Sequence, residues 1–233
     1  ENIIKKIITI ALLAVASSVS AKGNYEGGVK IGAIASTTGF GIEMASPLSK
    51  NWDFRLHVTD GNFDKVISII HPHAGSFPVD IQYDADLKMT NIGAILDWYP
   101  FGSIFRVTGG NFFTKKTYNI SGLLVINGNT IGSNAYTSIE TGSLTGLIET
   151  ENVIAPYFGI GLGKRTKSDD GFGVSIDFGV MYTGSPKVSL TADGILASDP
   201  TFMKDLDEEE RIISSSKYFK VHPVMSIGIT YKF

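Results

Sequence analysis

The sequence predicts an all-β protein, an eight-stranded antiparallel up-and-down transmembrane β-barrel. Three observations predict it. Apolar residues recur at every second position over long runs, the intervening positions are small or polar, and turn signals cut the chain after residue 21 into eight segments. Composition agrees. A chain of 233 residues with 43% hydrophobic content folds, whereas 26 glycines and only 18% charge are unusual for a soluble enzyme. The sequence has no cysteine, which excludes a disulfide scaffold, a thiolate metal site, a cysteine nucleophile and a lipid-modified N-terminal cysteine. A net charge of -3 without a basic patch leaves no electrostatic footprint for nucleic acid.

Residues 1–21 have the three parts of a cleaved secretory signal peptide. Lys5 and Lys6 are the positive region, Ile7 to Ala16 the apolar stretch, and Val19-Ser20-Ala21 the small-residue cleavage site. The apolar stretch is shorter than the roughly 20 residues of a membrane-spanning helix. Residues 22–233 are then the barrel, outside the cytoplasm. A chain crossing lipid without such a helix must close its sheet, because hydrocarbon cannot satisfy an open edge.

Period two dominates that region. Between Phe172 and Asp193 the even positions begin Phe172, Val174, Ile176, Phe178, Val180 and Tyr182; the odd ones begin Gly173, Ser175, Asp177 and Gly179, with Met181 the large apolar exception. The last segment repeats the pattern, with Met225, Ile227, Ile229, Tyr231 and Phe233 on one face and Ser226, Gly228, Thr230 and Lys232 on the other. Side chains at successive positions of a strand point to opposite faces. In a soluble barrel the bulky apolar set points inward, around a ligand. In an outer-membrane barrel it faces lipid. The opposite set favours the second arrangement, because its Gly, Ser, Thr and isolated charges suit a narrow polar lumen.

Strands are expected near 28–36, 38–47, 51–60, 79–98, 104–120, 137–163, 171–193 and 217–233. The connections Pro47 to Lys50, Pro100 to Ser103 and Lys164 to Asp170 are short, whereas 61–78, 121–136 and 194–216 are long, as periplasmic turns and outer loops should be. Thr37-Thr38-Gly39 is tight for an outer connection: either it is a two-residue hairpin or those strands are misplaced. The apolar phase slips at Thr90-Asn91, which predicts a bulge there. Pro156, Pro186 and Pro223 lie within strand-like runs and predict bulges or strand portions above the membrane. Trp52, Trp98, Tyr99, Phe101, Phe105, Phe158, Phe172, Tyr231 and Phe233 fall by the short turns and read as one aromatic girdle. Tyr231 and Phe233, with apolar residues at every second position before them, read as the terminal signal for the outer-membrane assembly machinery.

On this register Lys30, Glu43, Asp53, Arg55, His57, Asp97, Arg106, Asp177 and Lys232 point into the lumen. Folding about the turns sets Glu43 opposite Arg55 and Asp97 opposite Arg106, close enough for ion pairs. An eight-stranded barrel holds such side chains and no open channel. These charges form either a packed polar core or a gated, very narrow conduit. No catalytic residues, cofactor or metal site are expected. His71-Pro72-His73 lacks a completing carboxylate or thiolate, Ser76 near His73 and Asp80 is a triad by composition only, and no helix follows Gly159, Gly161 and Gly163 to make a nucleotide loop. The acidic run Asp205 to Arg211 is a solvated loop or short helix, or else a divalent-cation bridge to lipopolysaccharide.

Four stretches, Asp84 to Met89, Asp97 to Phe101, Ile154 to Gly161 and Tyr182 to Thr191, resemble the small proteobacterial outer-membrane barrels that include the carbapenem-associated outer-membrane protein. The resemblance implies an eight-stranded monomeric barrel in the cell outer membrane, in contact with lipid and lipopolysaccharide. It carries over no catalytic residue. The expected role is structural, or limited permeation of small solutes; the alternative is a specific channel for small cationic solutes such as basic amino acids.

Overall fold

A computed structural model of the chain describes residues 28–71, 79–123, 129–131, 134–136, 138–166 and 170–233. The expected signal peptide lies outside the described residues, as do Pro72, His73 and Ser76. The described elements are β1 (Lys30–Ser36), β2 (Gly39–Pro47), β3 (Trp52–His71), β4 (Val79–Trp98), β5 (Phe105–Leu123), β6 (Asn129–Ile131), β7 (Asn134–Tyr136), α1 (Ser138–Thr141), β8 (Ser143–Gly163), β9 (Gly171–Tyr182), β10 (Lys187–Ala192), α2 (Pro200–Ser215), α3 (Lys217–Lys220) and β11 (Val221–Lys232).

Strands β1, β2, β3, β4, β5, β8, β9 and β11 pair antiparallel in that order, and β11 pairs back onto β1, so the eight-stranded barrel is closed. Its polarity is inside-out. Phe172, Phe178, Ile227 and Ile229 are 77%, 49%, 54% and 62% exposed, while Ser175, Asp177, Ser226 and Thr230 between them are buried. The chain turns from β1 to β2 through Thr37 and Thr38 alone, the two-residue hairpin of the two options left by the sequence. That hairpin makes one wall low. β1 has 7 residues, about 23 Å of strand, whereas β3 and β4 have 20 each, about 66 Å.

Several expected boundaries move. β3 does not stop at residue 60: it runs to His71, paired with β4 as far as Val79. Gly61, the first residue of the connection expected over 61–78, is here a close approach, since a Cβ on it would lie 2.8 Å from the Gly39 backbone and 2.5 Å from the Phe63 ring. β5 runs to Leu123, three residues past its expected end, and the outer connection after it carries the β6–β7 hairpin and the α1 turn. The expected strand 137–163 therefore begins at Ser143, and residues 217–220 of the expected last strand are helical.

No bulge lies at Thr90-Asn91, because the β3–β4 and β4–β5 registers run unbroken through it. What changes there is which face is apolar. Asn91, Gly93, Ile95 and Asp97 point inward below this level and Met89 points inward above it, while on the outside Leu96 and Trp98 give way to Thr90 and Lys88. The alternation keeps its phase and exchanges its polarity, as a strand does on passing from an apolar surround into water. The described bulge is in β8. Thr114 pairs with Val153 and Lys116 with Thr150, so two residues of β8 face one of β5.

The expected strand 171–193 breaks at Thr183–Pro186, where β9 ends and β10 begins. Gly184 takes a φ of +72°, which lets the chain leave the β9 line. β9 pairs with β8 from Tyr157 to Gly163, and β10 pairs with β8 from Leu144 to Glu149. Pro156 stands where β8 is between these two partners. Pro223 lies past the last β1–β11 pair, Ser36 with Ser226. All three prolines thus sit where a ladder is interrupted, the places a missing N–H costs least.

Candidate functional site in the barrel interior

The inward face is layered. At the end of the short turns, Asp53 accepts from the Thr166 backbone N–H at 3.2 Å and its hydroxyl at 2.6 Å. Arg165 donates to the carbonyls of Gly102 and Lys50 and lies 5.0 Å over the Tyr99 ring. One guanidinium thereby ties three turns together. Lys30 donates to the Lys164 carbonyl at 3.0 Å, and Lys232 pairs with Asp170 at 3.0 Å. Tyr99 is wholly buried in this floor and so leaves the girdle the sequence assigned to it. Trp52 and Trp98 stack outside at 6.0 Å; Phe172, Tyr231 and Phe233 form an edge-to-face series at 5.0 and 4.9 Å.

Above the floor is an ionic cluster. Arg55 donates to Glu43 at 3.2 Å, Asp177 at 3.0 Å and Asp97 at 2.9 Å. Arg106 grips Asp177 with Nε and Nη2 at 3.1, 2.9 and 2.8 Å, and its Nε lies 3.9 Å from Asp97. The register differs from the one expected. Glu43 is directly across from His57, and Arg55 across from Ala45; Asp97 is across from Thr108 rather than Arg106. The turns hold more residues than symmetric folding assumes, so the partners meet on diagonals. Long guanidinium stems cover that offset. Asp177, on β9 across the lumen, is the shared acceptor of both arginines. Three carboxylates against two guanidiniums leave one negative charge, and Lys30 stands within electrostatic reach of Glu43 to offset it.

The next layer is apolar. Ile95, Phe112, Ala155, Tyr157, Met181 and Val224 pack into one cluster inside the barrel. Phe112 meets Tyr157 edge-on at 5.2 Å and His57 at 5.3 Å. Reading charge alone misses this layer; its trace in sequence is Met181 and Val224, large apolar residues on the polar face of their strands. Over it runs a hydroxyl–amide chain. Thr114 donates to Asn91 at 2.6 Å, Asn91 reaches Thr59 at 3.4 Å, and Thr59 meets Thr38 at 2.9 Å.

All nine charged residues assigned to the lumen are buried, Lys232 the most exposed at 9%. Arg55, Asp97 and Arg106 in the ionic layer, and Phe112 and Met181 in the apolar one, are at most 1% exposed. Two consecutive layers thus fill the cross-section. Among the described residues, no group of three or more His, Asp or Glu is placed to hold a metal.

The acidic run belongs to α2, and two of its carboxylates, Asp205 and Glu210, face protein. Asp205 accepts from Asn134 at 2.6 Å and Tyr136 at 2.5 Å on the β7 hairpin. Glu210 accepts the Leu190 backbone N–H at 2.6 Å on the free edge of β10.

Fold and interior define a closed eight-stranded barrel with an apolar outside and a sealed ionic core. Among solved structures it is similar to Acinetobacter baumannii CarO2, with a TM-score of 0.68 and 24% identity over 90% of this chain and 100% of that one. Acinetobacter baumannii CarO follows at a TM-score of 0.64 and 20% identity, covering 91% and 100%. A major outer membrane protein from Thermus thermophilus aligns at a TM-score of 0.47 and 11% identity, over 88% and 99%. No family model matches the chain, and no curated protein matches it significantly.

Proposed function

We propose that the protein is an integral outer-membrane β-barrel, sealed at rest, with a structural role in the envelope or a slight permeability to small solutes, and no enzymatic activity. The observation that carries this reading is a belt of exposed bulky apolar side chains around an ionic core closed to water. Water would penalise that belt heavily, and lipid accepts it. The similarity to CarO and CarO2, and the resemblance of the motifs to small outer-membrane barrels, support the same location. On this reading the partners are outer-membrane lipid and lipopolysaccharide, and the assembly machinery reads Tyr231 and Phe233.

Permeation would require the Arg55–Asp177–Arg106 contacts to part and Phe112, Tyr157 and Met181 to move together. Planar-bilayer recording of the folded, purified chain tests this. Silence, or rare brief openings, is expected. A stable conductance blocked by lysine or arginine would establish the cationic-solute channel instead. Recovery of the native protein in the soluble periplasmic fraction would overturn the membrane reading altogether.

A further inference from the structure

Above the hydroxyl–amide chain the interior holds a cation with no counter-charge among the described residues. Lys116, on β5, is 2% exposed, and its amine lies 5.3 Å from the centre of the Tyr118 ring. Among the described residues no carboxylate forms an ion pair with it; burial alone perturbs it. Directly opposite in register is Thr150 of β8, 3% exposed, whose hydroxyl has no hydrogen-bond partner. Across the lumen is His222 of β11. Its ring is held toward the Thr37 backbone, its Nε2 is buried without a partner, and it feels the charge of Lys116. The two walls are in contact there, because Tyr118 meets Phe219 edge-on at 5.9 Å.

A buried ammonium without an opposite charge is costly, and so is each unpaired buried polar group. These three groups share one complement. The amine and the hydroxyl can both donate to the oxygens of a single anion, bonds to a charged oxygen being the strong ones, and the His222 ring, whose other nitrogen is turned to the Thr37 backbone, joins them from Nε2 once it takes up a proton from water, which a bound anion favours. The level is right for access from water. Outside the barrel at this height Lys88 and Lys115 are exposed, and the apolar layer lies below.

We propose that Lys116, Thr150 and His222 form a binding site for a small oxyanion, a carboxylate or phosphate, at the outer end of the barrel. The anion comes either from a free solute or from a lipopolysaccharide phosphate; the chemistry is the same for both. The site does not depend on the lumen conducting, so bilayer recording and the following experiment succeed or fail separately.

The full chain, folded in neutral detergent, is titrated calorimetrically with sodium phosphate and with sodium acetate at constant ionic strength. Saturable binding is expected, weakened about tenfold by Lys116→Met and by a smaller factor by Thr150→Val. Heat-modifiable migration on gels checks that each variant is folded. If Lys116→Met does not fold, Thr150→Val and His222→Gln make the comparison. Absence of saturable binding in the unmodified chain, or unchanged affinity in every folded variant, would overturn the site. Purified lipopolysaccharide is then added in competition. Displacement of phosphate from the unmodified chain assigns the site to a headgroup phosphate, and undiminished phosphate binding assigns it to a free solute.

Discussion

Asp177 bears more of the interior than any other single side chain. It accepts from Arg106 through two nitrogens, from Arg55 at 3.0 Å, and from Ser226 at 3.5 Å. Removing one member of a buried ion network leaves its partners charged and unsolvated, at about 3–5 kcal/mol. Asp177→Ala should therefore lower barrel stability by about that amount in urea unfolding from detergent or vesicles. Arg106→Ala should do the same, leaving Asp177 with Arg55 as its one guanidinium. The neutral pair Arg106→Gln with Asp177→Asn should be milder than either, because both charges leave together and hydrogen bonds can persist. Midpoints equal to that of the unmodified chain for all three variants would show that the cluster is incidental to stability. The residue types were legible in the sequence at this scale and the partnerships only partly so. Alternation placed Glu43, Arg55, Asp97, Arg106 and Asp177 on one face, but pairing about the turns could not see Asp177, which arrives from a strand far along the chain. A shared acceptor is set by barrel closure, a long-range fact that period two does not encode.

At the scale of elements, the outer end is where local sequence misled and tertiary contacts decide. The apolar alternation from Phe172 to Asp193 looks continuous, yet the strand must break once its partner stops being β9's section of β8 and becomes β10's. Gly184 and Pro186 mark the break in retrospect. Past it, β10 exposes an edge, and an unpaired edge invites aggregation unless covered. α2 covers it. Asp199 caps the helix by accepting from the Thr201 and Phe202 backbone N–H groups at 2.8 and 3.0 Å, Phe202 is buried against Tyr136, and Glu210 and Ser214 bond to Leu190 and Pro186 of the edge. Glu210→Ala should free that edge and raise limited proteolysis of the 193–220 segment about fivefold, the effect of about 1 kcal/mol of local opening. Gly184→Ala meets no neighbouring atom but must hold a left-handed φ, and should cost about 1–2 kcal/mol. The cap should also respond to pH. Hydrogen bonds from Tyr136 and Asn134 hold the Asp205 carboxyl below its ordinary 3.8, while loss of surrounding water and the same carboxylate push the Tyr136 phenol up to about 12. A depressed carboxyl contributes stability above its ordinary value and loses it as pH falls through the lower folded one; a raised phenol contributes below its ordinary 10 and loses it as pH climbs toward 12. The tie between α2 and the β7 hairpin should hold across the range between and loosen at both extremes. Tyrosinate absorbance checks the upper edge: the late-titrating component should shrink by one tyrosine in Tyr136→Phe, and part of it should move earlier in Asp205→Asn.

For the whole molecule, the decisive pattern is the exchange of polarity along β4. Low on the strand the outside is apolar, with Leu96 and Trp98; above Thr90 the outside is polar, with Lys88, while Met89 is buried inside in register with Lys116 of β5. A soluble barrel would keep one polarity from end to end. A barrel only partly immersed must switch, at the height where hydrocarbon gives way to water. The low β1–β2 wall fits the same depth, since about 23 Å of strand suits the shorter, immersed part, and the long walls of β3, β4, β5 and β8 project beyond it. The sequence carried this switch as a slip of phase at Thr90-Asn91. A slip can come from an inserted residue or from a change of surroundings, and only the unbroken register separates the two. Charge placed on the outside should therefore be penalised by depth. Ile227→Arg, at mid-height on β11, should cost about 2–4 kcal/mol in reversible folding into lipid vesicles, whereas Asn119→Arg, outside and high on β5, should cost about 0–1. Matching penalties at the two positions would place both in the same medium and remove the argument for partial immersion; a large cost at Ile227 alone sets the bilayer boundary between their heights.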